Sequence, residues 1–392
     1  MRQQIFVHDD ESRITNRFAS MLRSLREIRS RFEIVALSAT DFSNQMANLT
    51  KRQRELRKGG QDYETPSDFD SASILVFDYD LIQSDPNIAW TSENAAYLAR
   101  CFSNCGIIIG VNLPGIYEFD LTLREGPDSY ADISIVSRQL DNVGLWTDRR
   151  TEFRPWYWPQ LLDYLASFGE RVRDVRDHLD DPVLSSVGLQ EMASALPRSV
   201  IEFVSGKDPS KTTFRSFVSS SGHGLRPKDR NRNPETISRI AAARIAKWLE
   251  RQLLTGQNVV VDAPHLAMRF PSLLDGDNAS RVALNRTTRF EDYRDVGIRH
   301  SSIEGFRLKN SHWFSRPVWL WKRMTESEKI KEISEPWEKE RPKFRFCEDT
   351  SSFQDIRNCK EFVAEVDSPY DRRYVRVVKG IDYQPRVRLL SN

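Results

Sequence analysis

Three aspartates stand directly after short apolar runs, in positions that could create an acidic pocket. Asp9 and Asp10 follow "QQIFVH" near the N-terminus, and Asp78 follows "ILVF" at 74–77. Carboxylate oxygens are the ligands that Mg²⁺ prefers, and a metal-screened aspartate can attack a phosphoryl group. The three residues therefore predict a magnesium site, with Asp78 as a candidate phosphoacceptor. The competing interpretation is that they only cap helices and line loops, as strand-end aspartates often do.

The elements that must position these aspartates alternate between strand and helix. Strands are predicted at 3–9, 33–39, 72–80, 106–112 and 131–140. Helices are predicted at 13–32 and, with an N-terminal cap, at 91–104. The polar segment 42–71 should contain a helix and a Gly-Gly break. Such alternation indicates an α/β fold with a mainly parallel, doubly wound five-stranded sheet. In that fold the carboxyl ends of strands one and three share the edge where ligands bind.

The rest of the chain predicts a different organisation. A charged segment rich in proline and tryptophan begins at residue 147, and residues 147–256 are predicted to be mainly helical. Their last helix should begin at Pro234 and end at Gly256. Residues 257–392 are predicted to form an α+β C-terminal domain with short strands. The predicted regions are therefore 1–146, 147–256 and 257–392.

Composition excludes several classes of protein. Lys and Arg (58) nearly balance Asp and Glu (56), so no overall basic field predicts nucleic-acid binding. No apolar stretch approaches the roughly 20 residues that span a bilayer, and no signal-peptide core is present, which predicts a cytoplasmic protein. The four cysteines do not form a disulfide framework, so buried free thiols are favoured over a metal site.

The acidic pair, the aspartate on strand three and the five-strand pattern together resemble the response-regulator receiver family, of the chemotaxis-protein type. The resemblance covers residues 1–146, about a third of the chain. It implies Mg²⁺ held by Asp9, Asp10 and Asp78, phosphorylation of Asp78, and a role in a bacterial two-component phosphorelay. It also implies a protein partner, either a kinase or an effector subunit, and is compatible with an oligomer.

The chain departs from that family at three places. Strand four of a receiver usually ends in Thr or Ser, whereas this chain has Gly110, Val111 and Asn112. Strand five usually ends in Lys, whereas Arg138 is the candidate phosphate partner here, with a planar fork of different reach. Ile82 stands where proline is usual. These departures favour an atypical or pseudo-receiver, which keeps the fold and the metal site without the phosphate switch.

A second resemblance uses both aspartates of "LVFDYDLI". This pattern is similar to the first motif of haloacid-dehalogenase-type phosphatases, which would make Asp78 the nucleophile and Asp80 the general acid. Such a motif normally lies on the first strand of its domain, whereas two strands precede it here. A phosphatase is therefore the alternative hypothesis.

A further Asp/His pair ends the predicted strand in "VVVDAPHLA" (259–267). Asp262 and His265 could be a base and its partner, or metal ligands, at a second sheet edge. Without a visible third partner, the favoured interpretation is a turn at 262–264 followed by His265 as the cap of the next helix.

The stretch 219–235 is small, polar and basic. It could bind phosphate or nucleic acid and would make the protein a nucleic-acid-associated regulator, although it lacks any recognised nucleotide-binding pattern, which favours a solvated linker. Its cations are Arg226, Lys228, Arg230 and Arg232. The leading hypothesis remains a cytoplasmic signalling protein whose receiver-like domain controls a C-terminal effector or partner-binding region.

Overall fold

Short runs of two to seven residues form the strands of the N-terminal third. In the computed structural model they are β1 (Gln3–His8), β2 (Phe32–Ala36), β3 (Ala72–Asp78), β4 (Asp80–Leu81), β5 (Trp90–Thr91), β6 (Ile107–Asn112) and β7 (Ile133–Val136). Five of them form one all-parallel sheet in the order β2-β1-β3-β6-β7, and β4 pairs with β5. Numbered along the chain, that order is 2-1-3-4-5, one of the common doubly wound arrangements.

The structure describes only part of the chain. The described residues are 2–58, 65–81, 84, 90–112, 129–149, 158–204, 208–220, 233–274, 280–288, 297–298, 300–309, 311–331, 343–362 and 373–377.

Three of the five helices beside this sheet begin at polar side-chain caps. They are α1 (Ser12–Ser24), α2 (Arg26–Arg31), α3 (Ala39–Arg57), α4 (Ser92–Phe102) and α5 (Val143–Trp146). Ser38 and Asp41 form a capping box on α3, and the Thr91 side chain accepts a hydrogen bond at the start of α4, as predicted. The single helix predicted at 13–32 is instead two helices, because Leu25 is extended between them and is buried in the core.

The middle region is mainly helical, as its pattern predicts. It contains α6 (Leu161–Asp177), α7 (Val183–Ser186), α8 (Arg198–Val204), α9 (Phe214–Ser219), α10 (Pro234–Trp248) and α11 (Leu254–Gly256). Between α10 and α11 the helix widens into a π-helical turn at Leu249–Leu253, and the left-handed residue Gln257 ends it. The long helix thus begins at Pro234 and ends at Gly256 as predicted, but the π turn was not foreseen.

The C-terminal region combines short strands and helices. Its elements are β8 (Val260–Asp262), α12 (Ala263–Arg269), α13 (Arg281–Arg286), α14 (His300–Ile303), β9 (Val318–Leu320), α15 (Trp321–Glu326), α16 (Glu328–Lys331), β10 (Phe344–Cys347), β11 (Ser352–Asp355), β12 (Cys359–Phe362) and β13 (Arg373–Arg376). β8 pairs with β9, and the last four strands form a sheet in the order β11-β10-β13-β12. Trp313, Phe314 and Trp319 are buried in the core, and the partly buried Trp321 packs against it.

Helices of the middle region pack directly on the N-terminal sheet domain. α10 contacts both α4 and α6. Lys247 on α10 donates to the carbonyl oxygens of Ser129 (3.2 Å) and Ala131 (2.7 Å), next to β7. Arg239 on the same helix donates to the carbonyl oxygen of Cys105 (2.6 Å) after α4. The two regions are therefore joined by buried polar contacts as well as by apolar packing.

Among the residues that the structure describes, no helix is long and apolar enough to cross a membrane.

Candidate functional site

The parallel pairing of β1 and β3 brings the predicted acidic residues to the same edge of the sheet. His8, the last residue of β1, is paired with Phe77, so Asp9 and Asp78 are each one step further along neighbouring strands. Asp10 follows in the loop that leads to α1. The charges of Asp10 and Asp78 both act on Asp9. The three carboxylates therefore form one electrostatic cluster, here called the acidic edge.

Two of the three carboxylates are almost completely shielded from solvent. Asp9 is 2% exposed and Asp78 is 3% exposed. The backbone N–H of Glu11 donates to Asp9 Oδ1 (2.8 Å), and that of Asp80 donates to Asp78 Oδ2 (2.9 Å). The other two oxygens, Asp9 Oδ2 and Asp78 Oδ1, are buried without a hydrogen-bond partner. Buried acceptors in this state are costly unless a cation, a proton or water satisfies them.

The electrostatics of the acidic edge favour protonated carboxyl groups. Burial, together with the charges of Asp78 and Asp10, raises the pKa of Asp9 to about 7. Burial, with the charges of Asp10 and Asp80, raises the pKa of Asp78 to about 6. The neighbouring His8 does not offset this negative charge, because burial lowers its pKa to about 4 and the ring is neutral near pH 7.

The residues of the acidic edge are suited to Mg²⁺, although they do not form a complete cage of protein ligands. Within the described ranges, no group of three or more His, Cys, Asp or Glu side chains is placed so that it could hold a metal ion by itself. Mg²⁺ commonly binds through one or two carboxylates and keeps several waters. Asp9 and Asp78, each with a buried oxygen lacking a hydrogen-bond partner, fit that mode of binding.

Gly110 on β6 marks a close approach that the sequence analysis missed. It is paired with Phe77 and Ser134, and a Cβ atom at Gly110 would lie 3.0 Å from Ser134 Oγ and 3.5 Å from Ser92 Oγ. Two buried serine hydroxyls thus occupy the space beside the strand-four position where receivers usually place their own hydroxyl group. The glycine inside a strand was the available signal, since it often marks such a close approach.

The other residues predicted for this edge take different positions. Arg138 is half-buried in the turn that follows β7, two strands away from β3 at the same edge. Asp80 begins β4 and is exposed, although its charge acts on Asp78. The roles predicted for Arg138 and Asp80 stay predictions.

The second predicted pair, Asp262 and His265, forms a buried network. Asp262 caps α12, and its Oδ1 accepts from the backbone N–H of His265 (3.2 Å) and contacts His265 Nδ1 at 2.6 Å. The other ring nitrogen, Nε2, lies 3.1 Å from Glu348 Oε1. A helix cap is therefore present, but Asp262 provides it and not His265 as predicted. A third partner, Glu348, was missed by the sequence analysis. Glu348 is 83 positions away in the chain, so no local pattern could indicate it.

Arginines and a further carboxylate complete this network. Arg373 donates to Glu348 Oε1 (2.5 Å) and to the Thr255 carbonyl oxygen (2.6 Å). Arg316 lies 3.6 Å from Asp262 Oδ2 and 3.9 Å from Glu250 Oε2, which the π turn supplies. Burial opposes the ionisation of both carboxylates. Contacts with His265 and Arg316 nevertheless hold the pKa of Asp262 below its ordinary value. Contacts with Arg373 and His265 do the same for the pKa of Glu348.

This network is arranged to hold the C-terminal region together. Both ring nitrogens of His265 face carboxylate oxygens, one from Asp262 and one from Glu348. With both nitrogens engaged and the ring 2% exposed, His265 has no nitrogen available as a general base. The network therefore connects the end of β8, α12, the loop before β9, and strands β10 and β13.

The basic stretch lies outside the described residues. Arg226, Lys228, Arg230 and Arg232 all fall within 221–232, so their predicted surface position and their predicted binding of phosphate or nucleic acid stay predictions.

Comparison of the whole chain with protein-family profiles, with curated proteins and with solved structures found no match. The fold class and the acidic edge therefore rest on the chain's own sequence and geometry: an N-terminal five-stranded parallel sheet flanked by helices, compatible with a receiver-like fold.

Proposed function

We propose that residues 1–146 are a receiver-like regulatory domain of a cytoplasmic signalling protein, and that this domain binds Mg²⁺ and controls the regions that follow it. The observation that carries the proposal is the pair of buried carboxylates at the ligand-binding edge of a 2-1-3-4-5 sheet, with Asp9 Oδ2 and Asp78 Oδ1 lacking hydrogen-bond partners. Such carboxylates are costly to leave without a counter-charge, and a divalent cation supplies one.

Asp9 and Asp78 would hold the ion, with Asp10 beside them. When bound, Mg²⁺ would neutralise the carboxylates and screen an incoming phosphoryl group. Asp78 is the candidate acceptor and Arg138 the candidate cation for the product. Because Gly110, Val111 and Asn112 supply no hydroxyl at the end of strand four, we expect a pseudo-receiver that binds Mg²⁺ without a stable phosphorylated state.

The contact between α10 and the sheet domain supports control within the same chain. Lys247 holds the segment before β7, where Asp132 forms an ion pair with Arg100 of α4 (2.5 Å). In the sheet order, β6 and β7 lie between β3 and this contact. We therefore propose that the helical region is the first recipient of the domain's state, before any kinase or effector subunit.

A thermal-shift titration of the full chain with MgCl₂ tests the proposal. Wild type should melt at a higher temperature with Mg²⁺, since a ligand at ten times its Kd adds about 1.4 kcal/mol. Asp9→Asn and Asp78→Asn should lose this shift, whereas the exposed Asp141→Asn should keep it. The shift should also be smaller at pH 6 than at pH 8, because protons compete for Asp9, whose pKa is about 7. Equal Mg²⁺ shifts in Asp78→Asn and wild type would refute the proposal.

Incubation with Mg²⁺ and acetyl phosphate separates a pseudo-receiver from a phosphorylated one. We expect no stable phosphate on the intact protein by mass spectrometry. Phosphate that is incorporated in wild type and in Asp141→Asn, but not in Asp78→Asn, would instead assign a working phosphoacceptor.

The phosphatase hypothesis predicts a different result. It requires hydrolysis of a simple phosphate ester, such as para-nitrophenyl phosphate, that is lost in Asp80→Asn. β3 follows two other strands of the same sheet, which does not favour that hypothesis.

A further inference from the structure

Two thiols that are far from the acidic edge meet in the C-terminal sheet. Cys347 ends β10 and Cys359 begins β12, and their Sγ atoms are 3.4 Å apart. The two strands are not neighbours, because β13 lies between them in the sheet order. The pair is therefore brought together by the fold of this sheet and not by direct strand pairing.

We propose that Cys347 and Cys359 are an oxidant-reactive dithiol that closes reversibly to an intramolecular disulfide. A disulfide has an S–S length of about 2.05 Å, so the sulfurs need to approach by roughly 1.4 Å from their present separation. The inference is independent of the function proposed for the N-terminal domain.

The surroundings of the pair give its two members different roles. Cys347 is fully buried, whereas Cys359 is half-buried and is the one within reach of a small oxidant. The contact with the Cys347 thiol, together with the charge of Arg345, holds the pKa of Cys359 below its ordinary value despite burial. The same contact and burial raise the pKa of Cys347. Cys359 is therefore the attacking thiolate and Cys347 the resolving thiol.

The reaction with a peroxide balances in two steps. The Cys359 thiolate attacks one peroxide oxygen; an S–O bond forms, the O–O bond breaks, and the departing hydroxide takes a proton to become water. The Cys347 sulfur then attacks the sulfenic sulfur; the S–S bond forms, the S–O bond breaks, and the hydroxyl leaves as water with the Cys347 proton. Two thiols and one hydrogen peroxide thus give one disulfide and two waters.

The chain supplies an internal control in its other two cysteines. Cys101 lies within α4 and Cys105 follows that helix, and both are buried in the N-terminal domain. Burial of both thiols predicts slow reaction of the folded protein at this second site.

Thiol mapping of the full chain tests the proposal. The reduced protein is treated with hydrogen peroxide, remaining thiols are alkylated, and the digest is analysed by mass spectrometry with and without dithiothreitol. We expect one linked peptide pair, Cys347 to Cys359, lighter by two hydrogen atoms than the dithiol and restored by dithiothreitol. Cys359→Ser should abolish the link, and Cys101→Ala with Cys105→Ala should leave it unchanged.

Two outcomes would overturn the proposal. One is that Cys347 and Cys359 remain alkylatable as separate thiols in the folded protein, while the urea-unfolded chain links under the same oxidant. The other is that the link forms equally with Cys101 or Cys105, which would indicate oxidation of an unfolded population. Because wild type alone decides between these results, the test does not depend on the folding of any variant.

Discussion

Replacing Asp78 by Asn should stabilise the protein at neutral pH, because the substitution removes a buried charge without changing the shape of the side chain. Asn keeps an acceptor oxygen for the backbone N–H of Asp80, which donates to Asp78 Oδ2 in the wild type. What it removes is the cost of ionising a carboxylate that is 3% exposed and close to Asp9 and Asp10.

The pKa of Asp78 sets the size and the sign of this effect. The pKa is about 6 in the folded protein, raised by burial and by neighbouring carboxylates, against about 3.9 in an unfolded chain. The folded state therefore binds this proton more tightly, and stability falls as pH rises from about 4 to about 6, then stays low. The difference of about two pKa units between the folded and unfolded states corresponds to about 3 kcal/mol, at about 1.4 kcal/mol for each unit. Because Asp9 and Asp10 share the same field, we expect a gain of about 1–3 kcal/mol from Asp78→Asn above pH 7.

Urea unfolding followed by tryptophan fluorescence, in EDTA at pH 7.5 and pH 5, measures this gain as a difference between the two proteins. The gain should fall to about half at pH 5, because the unfolded chain has already lost the proton at that pH while most of the folded wild type still holds it. The exposed Asp141→Asn should change little at either pH. A variant that is less stable than wild type at pH 7.5, or a gain that is equal at both values, would refute the assignment of Asp78 as an uncompensated buried carboxylate.

Three further substitutions test buried contacts elsewhere in the protein by the same urea measurement. Arg100→Met should cost about 3–5 kcal/mol, because it leaves Asp132 buried without its partner; adding Asp132→Asn should recover part of the loss. Gly106→Ala should lower the free energy of unfolding by about 2–3 kcal/mol, because the added Cβ would lie 2.2 Å from the Ser73 carbonyl oxygen. Gly169→Ala on α6 should raise it by about 0.5–1 kcal/mol, because no atom lies within 4 Å of the added Cβ and alanine favours a helix. Glu348→Gln should cost about 3–5 kcal/mol, because it removes the negative charge that faces Arg373 and His265 Nε2. The exposed Glu361→Gln on the same sheet should be nearly neutral. Losses below about 1 kcal/mol in the buried variants would contradict these contacts.

The sequence alone determined the elements that depend on neighbouring residues. The apolar runs before Asp9 and Asp78 predicted β1 and β3, and Thr91 predicted the start of α4. Pro234 and Gly256 predicted both ends of the long helix. Parallel connections then placed Asp9 and Asp78 at one edge, because the carboxyl ends of all strands in a parallel sheet point the same way. Apolar periodicity and capping are local properties, so they can be read from short stretches of chain.

Only the tertiary structure decided which distant residues meet. Glu348 reaches His265 across 83 positions, and Cys347 meets Cys359 although β13 separates their strands. The break at Leu25 was not visible in the local pattern, which continues a helix, whereas the structure has an extended, buried residue there. The raised pKa of Asp78 belongs to the same class, because burial and neighbouring charges exist only once β1, β3 and β6 are packed. These features depend on contacts between residues that are distant in the chain, and a local sequence pattern does not indicate such contacts.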